Sequence, residues 1–161
     1  MTGRRRIIAV FLPNWPMDRL FRELKARGKA PDRRRPLALA MSAQGGLRIT
    51  ARNRAAAQEG VSEGQLVTDA MALCRGLEVR DADPAADAAA LKKLADWCGR
   101  YTPWTAPDAN GLGAEPDGIF MDITGCDHLF GGEAALLDDL IARLGGFGVV
   151  ARAVAAAPPG A

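Results

Sequence analysis

One stretch, from Pro116 to Glu133, constrains this chain more than any other. Pro116-Asp117-Gly118 reads as a tight turn, with proline presetting φ and glycine supplying the permissive position. Ile119-Phe120-Met121-Asp122-Ile123 suits a pleated surface and reads as a short buried strand. Gly131-Gly132 then breaks the chain before an apolar-periodic helix, with Leu136, Leu137, Leu140, Ile141 and Leu144 on its stripe. The product is turn, strand, loop and helix, with a carboxylate at each end of the strand. Along an extended strand Asp117 and Asp122 lie about 17 Å apart, too far to share a metal ion.

Around this stretch the chain reads as alternating short elements. Ile7 to Leu12 is a continuous apolar run, expected as a strand buried on both faces. Pro13 to Pro16 turns the chain. A helix follows from Met17 to Ala26, with Gly28 as its terminator. Trp15 either stacks on a base or sugar or acts as a hydrophobic staple against that helix. Leu37–Met41 and Gly46–Thr50 flank Gln44-Gly45 as a hairpin. Asn53 or Thr50 caps a helix to Gln58, a second helical run ends at Gly76, and Leu77–Arg80 alternates as a strand.

Asp83-Pro84 opens a longer helix carrying Ala88, Leu91, Leu94, Ala95 and Cys98 on one face. Trp104-Thr105-Ala106 is expected to pair with Ile119–Ile123, and Gly148–Ala155 is the last strand. With the middle block set aside, the order is strand, helix, strand, strand, helix, strand. That is an α+β, ferredoxin-like (βαββαβ) sheet with helices on one face. Residues 1–28 and 82–161 form this domain, and residues 29–81 a small α/β insert.

At 161 residues the chain can bury a real core, and 48% apolar with 25% charged residues is ordinary for a soluble globular protein. A net charge of +2 does not by itself declare a nucleic-acid binder. Positive charge is nonetheless concentrated in Arg4-Arg5-Arg6, Arg33-Arg34-Arg35 and the group Arg48, Arg52, Arg54. Guanidinium forks suit phosphate, which makes the last group the candidate DNA or nucleotide-phosphate contact. The two triplets read equally well as a solvated tail and a solvated loop. Three widely spaced cysteines, Cys74, Cys98 and Cys126, argue for reduced thiols. With no signal-peptide pattern and no run of transmembrane length, a cytoplasmic protein is expected. Cys126, Asp127 and His128 are adjacent possible ligands without a second pair at finger-like spacing, so no metal site is expected there.

These residues resemble the palm and fingers of Y-family translesion DNA polymerases. Gly60-Val61-Ser62-Glu63-Gly64-Gln65, leading to Ala70-Met71-Ala72-Leu73-Cys74, is similar to the fingers signature. Asp117-Gly118-Ile119-Phe120-Met121-Asp122 is similar to the palm motif. The resemblance is closer still to the ImuB branch of bacterial mutagenesis cassettes. It is carried there by Asp122-Ile123-Thr124-Gly125-Cys126, by His128-Leu129-Phe130-Gly131-Gly132-Glu133, by Leu12-Pro13 with Met17-Asp18-Arg19-Leu20, and by Tyr101-Thr102-Pro103. It spans essentially the whole chain and implies further thumb and little-finger domains beyond Ala161.

The resemblance also implies what has been lost. Two-metal nucleotidyl transfer needs clustered carboxylates, one from the first strand and an Asp-Glu pair from the central hairpin. Here the first strand holds no acid, Asp117-Gly118 replaces the pair, and Asp117, Gly118 and Asp122 remain as a degenerate remnant. The two fingers places that reach the triphosphate hold Arg54 and Ala57, and the steric-gate position falls at Trp15 or Pro16. The expectation is therefore a catalytically inactive homologue with no catalytic residue and no two-metal Mg²⁺ site. It would act as an adaptor on DNA, with a RecA-like accessory protein, the sliding clamp and an error-prone DnaE-type polymerase as partners, and no membrane. The alternatives are an active translesion polymerase with an unconventional metal site on Asp117, and a ferredoxin-like module that binds only protein.

Overall fold

The computed structural model describes residues 4–108 and 117–157. Pro116, the connection before it and Pro158–Ala161 lie outside the described residues. In order, the elements are β1 (Ile7–Phe11), α1 (Trp15–Ala26), β2 (Leu37–Ala43), β3 (Gly46–Arg52), α2 (Arg54–Gln58), α3 (Val67–Leu73) and β4 (Glu78–Asp81). There follow α4 (Pro84–Trp97), β5 (Thr105–Pro107), β6 (Gly118–Asp122), α5 (Glu133–Gly146) and β7 (Arg152–Ala156). The chain divides into two compact units, residues up to Trp15 with those from Ala85 on, and Pro16–Pro84. The sequence division kept residues 16–28 with the palm, whereas the folded chain groups them with the second unit.

The first unit is a four-stranded sheet ordered β5-β6-β1-β7. The strand pairs β1–β6, β1–β7 and β5–β6 are all antiparallel. That is the ferredoxin-like order, with β6 and β1 central. One face packs Ile8, Val10, Ile119 and Met121 with Leu91, Leu94 and Cys98 of α4 and its end and with Leu136, Leu140 and Leu144 of α5. The stripe on α5 forms as its spacing dictates, Leu136, Leu140 and Leu144 at every fourth residue turning inward.

Two expectations are corrected here. β1 is not buried on both faces: Ile8 and Val10 are buried while Phe11 is exposed. An antiparallel sheet with helices on one side leaves its other face open, and the apolar run hides the alternation. Trp15 is neither turn residue nor staple but starts α1, fully buried in this core, and its indole N–H donates to the Asp87 carbonyl at 2.9 Å.

The second unit is a three-stranded sheet ordered β3-β2-β4, β2–β3 antiparallel and β2–β4 parallel. Gly45, at φ 91°, completes the expected hairpin turn. Asn53 caps α2, its side-chain oxygen accepting from Ala56 N–H at 2.9 Å and from Leu37 N–H at 3.1 Å. Gly28, at φ 70°, closes α1 as the sequence predicts. Among the described residues no helix is long and apolar enough to cross a membrane. The cysteines are free thiols, Cys74 and Cys98 buried and Cys126 half-buried; burial pushes the Cys98 thiol up to about 11.

Candidate functional site

Register decides what the open face of the four-stranded sheet can hold. Directly paired residues share a face, so β1 and β6 present Phe11 beside Gly118, Ala9 beside Phe120 and Ile7 beside Asp122. β7 adds Arg152 beside Phe11, Val154 beside Ala9 and Ala156 beside Ile7, and β5 adds Ala106 beside Phe120. Apart from Arg152, Asp122, Gly118 and Asp108, whose side chain lies against Gly118, this face is apolar.

Asp117 sits at the entry to β6, its carbonyl accepting from Leu12 N–H at 2.9 Å. Its carboxyl is held above the usual carboxylate range, first by burial and also by the negative charge of Asp108. Asp108 follows β5, and its N–H donates to the Gly118 carbonyl at 2.8 Å. Sequence reasoning missed Asp108, although pairing Thr105–Pro107 with Ile119–Met121 carries it to the Asp117 end of the hairpin. On β1 the residue facing Gly118 is Phe11, whose side chain has no metal-binding atom. A Cβ on Gly118 would lie 2.9 Å from the Val10 carbonyl oxygen, so this backbone leaves no room for a larger residue. Among the described residues, the side chains able to meet a cation at this end are thus the Asp117 and Asp108 carboxylates. Among the described residues no three His, Cys, Asp or Glu side chains gather as a metal site.

Asp122, at the far end of β6, is engaged in structure. It accepts from Thr124 N–H at 3.0 Å and Thr124 Oγ1–H at 2.6 Å, and lies 3.7 Å from Arg5 Nε. Those bonds, the threonine hydroxyl first, hold its carboxyl below the usual range. Next to it Arg6 makes a two-pronged pair with Glu133, Nε at 2.8 Å and Nη2 at 2.6 Å. Arg6 N–H donates to Thr124 Oγ1 at 3.0 Å, and Ile123 N–H donates to the Arg6 carbonyl at 3.0 Å. Arg6 is therefore not part of a solvated tail, while Arg5 stays largely exposed. The reason is topological: β1 lies beside β6, so its leading residues reach the loop that follows β6.

The Tyr101-Thr102-Pro103 stretch serves the same end. Tyr101 O–H donates to Asp139 at 2.5 Å, and Thr102 Oγ1–H donates to the Asp122 carbonyl at 2.6 Å. His128 is exposed.

In the second unit an irregularity in the β2–β3 register sets Arg48 beside Met41 and Arg52 beside Ala38, on opposite faces of the sheet, while Arg54 is exposed at the start of α2. Arg48 Nη1–H donates to the Gly64 carbonyl at 2.7 Å. Arg52 Nη1 lies 3.3 Å from a Glu63 carboxylate oxygen, and its buried Nε has no hydrogen-bond partner. Ala57, like Arg54, is off the buried face of α2, which only Ala56 occupies.

Comparison with known proteins agrees with this architecture. Residues 17–155 match the model of the IMS family, described as the impB/mucB/samB family. Over 102 residues the chain is 52% identical to Protein ImuB of Caulobacter vibrioides strain NA1000 / CB15N, covering 63% of this chain and 21% of that protein. The same figures hold for Protein ImuB of strain ATCC 19089 / CIP 103742 / CB 15. The chain thus spans about a fifth of the length of the curated relatives it matches. Among solved structures, an insertion ternary complex of Dbh DNA polymerase superposes with a TM-score of 0.68 and 14% identity, over 94% of this chain and 42% of that one. DinB from Sulfolobus solfataricus gives 0.67 and 14%, over the same shares. The α+β palm-and-fingers fold of Y-family polymerases is therefore the fold of this chain.

Proposed function

The chain belongs to the impB/mucB/samB family, and from that premise we propose that it serves DNA-damage-induced mutagenesis and translesion synthesis as a polymerase-shaped scaffold, not as the catalyst. The observation that carries this reading is the Asp117 end of the hairpin, where β1 offers Phe11 and β6 offers Gly118. Two Mg²⁺ ions need acids converging from both strands, and this donor set does not fit them. The 2.9 Å approach to the Val10 carbonyl means that a glutamate cannot simply return at position 118.

In this reading the chain holds DNA through phosphate contacts from Arg48, Arg52 and Arg54 in the fingers-like unit. Its partners are a RecA-like accessory protein, the sliding clamp and an error-prone DnaE-type polymerase, engaged mostly by regions beyond residue 161, in the cytoplasm. The second reading, an active polymerase with an unconventional metal site, has one observation in its favour: Asp108 stands beside Asp117.

Primer extension by the full-length parent, with Mg²⁺ and then Mn²⁺ beside a Y-family enzyme, separates the two. The scaffold reading expects no extension from protein that still binds primer-template DNA. Extension that vanishes in Asp117→Ala or Asp108→Ala would establish the second reading. For the phosphate contacts, neutralising Arg48, Arg52 and Arg54 together is expected to weaken binding. The salt slope should fall by about 0.9 for each phosphate that no longer meets an arginine. An unchanged slope removes all three from the DNA surface.

A further inference from the structure

We propose that the open face of the four-stranded sheet is a stacking platform for unpaired nucleic-acid bases, with Phe11 and Phe120 as the ring surfaces and Arg152 as the phosphate contact. The inference rests on the reading that this chain works on DNA and adds the form of DNA it takes and the surface that takes it.

Phe11 and Phe120 are each 45% exposed, an unusual position for phenyl groups, on a face that no described element of the unit covers. They stand on the two central strands, β1 and β6. Phe11 pairs with Gly118, two residues before Phe120, so the rings are diagonal neighbours with backbones about 7–8 Å apart. That spacing gives each ring room for one splayed base. On the β6 and β5 sides their cross-strand neighbours are too small to cover them, Gly118 beside Phe11, and Ala9 and Ala106 beside Phe120, while Arg152 flanks Phe11 on the β7 side. Flat, uncovered aromatic rings on the central strands of a four-stranded antiparallel sheet are what unstacked bases bind.

Charge gives the platform a direction. Arg152 is exposed on edge strand β7, directly beside Phe11, and Val154 two residues along that strand is 62% exposed. Asp108 and Asp117 gather on the opposite side, at the β5–β6 end, and Asp122 is held by Thr124 and Arg5. A strand whose phosphates follow the β7 edge meets Arg152 and avoids both acids, while its bases reach inward over Phe11 and Phe120. A flat duplex end would instead press its backbone toward Asp108 and Asp117.

The test is fluorescence anisotropy of labelled oligothymidylate, and of a blunt duplex of equal length, against this chain and two double variants. Phe11→Leu/Phe120→Leu keeps apolar surface and removes stacking, and is expected to weaken oligothymidylate binding about tenfold or more while leaving the duplex unchanged. Phe11→Trp/Phe120→Trp is expected to keep single-strand affinity and to show indole quenching on binding. A leucine variant with wild-type single-strand affinity overturns the proposal and assigns the face to an apolar protein surface. So does a wild-type chain that binds single strand no better than duplex. Loss of all DNA binding by the unmutated chain would remove the DNA reading itself, whereas a lost preference for single strand with duplex binding intact removes this inference alone.

Discussion

The two ends of β6 carry a carboxylate each, and they have been put to opposite uses. At the Asp122 end the acid is threaded into Thr124, Arg5 and the Arg6–Glu133 pair, with Thr102 closing over its carbonyl. At the Asp117 end the acid meets a like charge, and the neighbouring β1–β6 pair is a phenylalanine with a glycine. The most specific motif in the chain, from Asp122 to Glu133, is thus a clasp that ties β1 to the β6–α5 loop. At the end where a polymerase would do chemistry, the charge beside Asp117 is that of another acid, Asp108. A motif can mark a family by what it holds together and not by what it catalyses.

The largest effect expected at the thin end comes from Gly118→Glu. Forcing a side chain against the Val10 carbonyl costs about 1–3 kcal/mol by the usual penalty of overpacking, read as a lower urea midpoint at an unchanged slope. If Gly118→Glu folds with wild-type stability and gains primer extension, the contrast between the ends was one substitution deep. At the clasp, Glu133→Gln removes the two-pronged pair and is expected to cost about 1 kcal/mol, since both side chains keep about a third of their exposure. No change there would mean the pair orients the loop without stabilising it.

The smallest effects are the most diagnostic, because they differ in sign. Asp122 and Glu133 titrate below their ordinary values, so their contribution is present above the unfolded carboxylate range and is lost as pH falls through their folded values. Asp117 is raised, so its ionised form is disfavoured by folding, and stability recovers as pH falls from its raised value toward about 3.9. Asp117→Asn is therefore expected to stabilise the fold slightly at pH 7 and Asp122→Asn to destabilise it, with the two converging in acid. Urea midpoints from pH 7 to pH 3 measure this, and same-sign shifts at pH 7 would dissolve the comparison.

Local chemistry made much of this protein legible from its sequence. The leucine stripe of α5, the Asn53 cap, the Gln44-Gly45 hairpin, the Gly28 stop and the pairing of Thr105–Ala106 with the Ile119 strand all follow from spacing and turn residues. So does the absence of an acid from β1. What the sequence could not decide was which residues meet across strands, because register joins positions more than a hundred apart. Antiparallel pairing of β1 with β6 put Phe11 against Gly118, Arg6 against the loop after Asp122, and Phe120 on an open face that an apolar run had concealed. Pairing of β5 with β6 brought Asp108 to Asp117. Residue types set the chemistry each strand can carry, and strand order and register alone choose the partners that turn one carboxylate into a clasp and set the other beside a like charge.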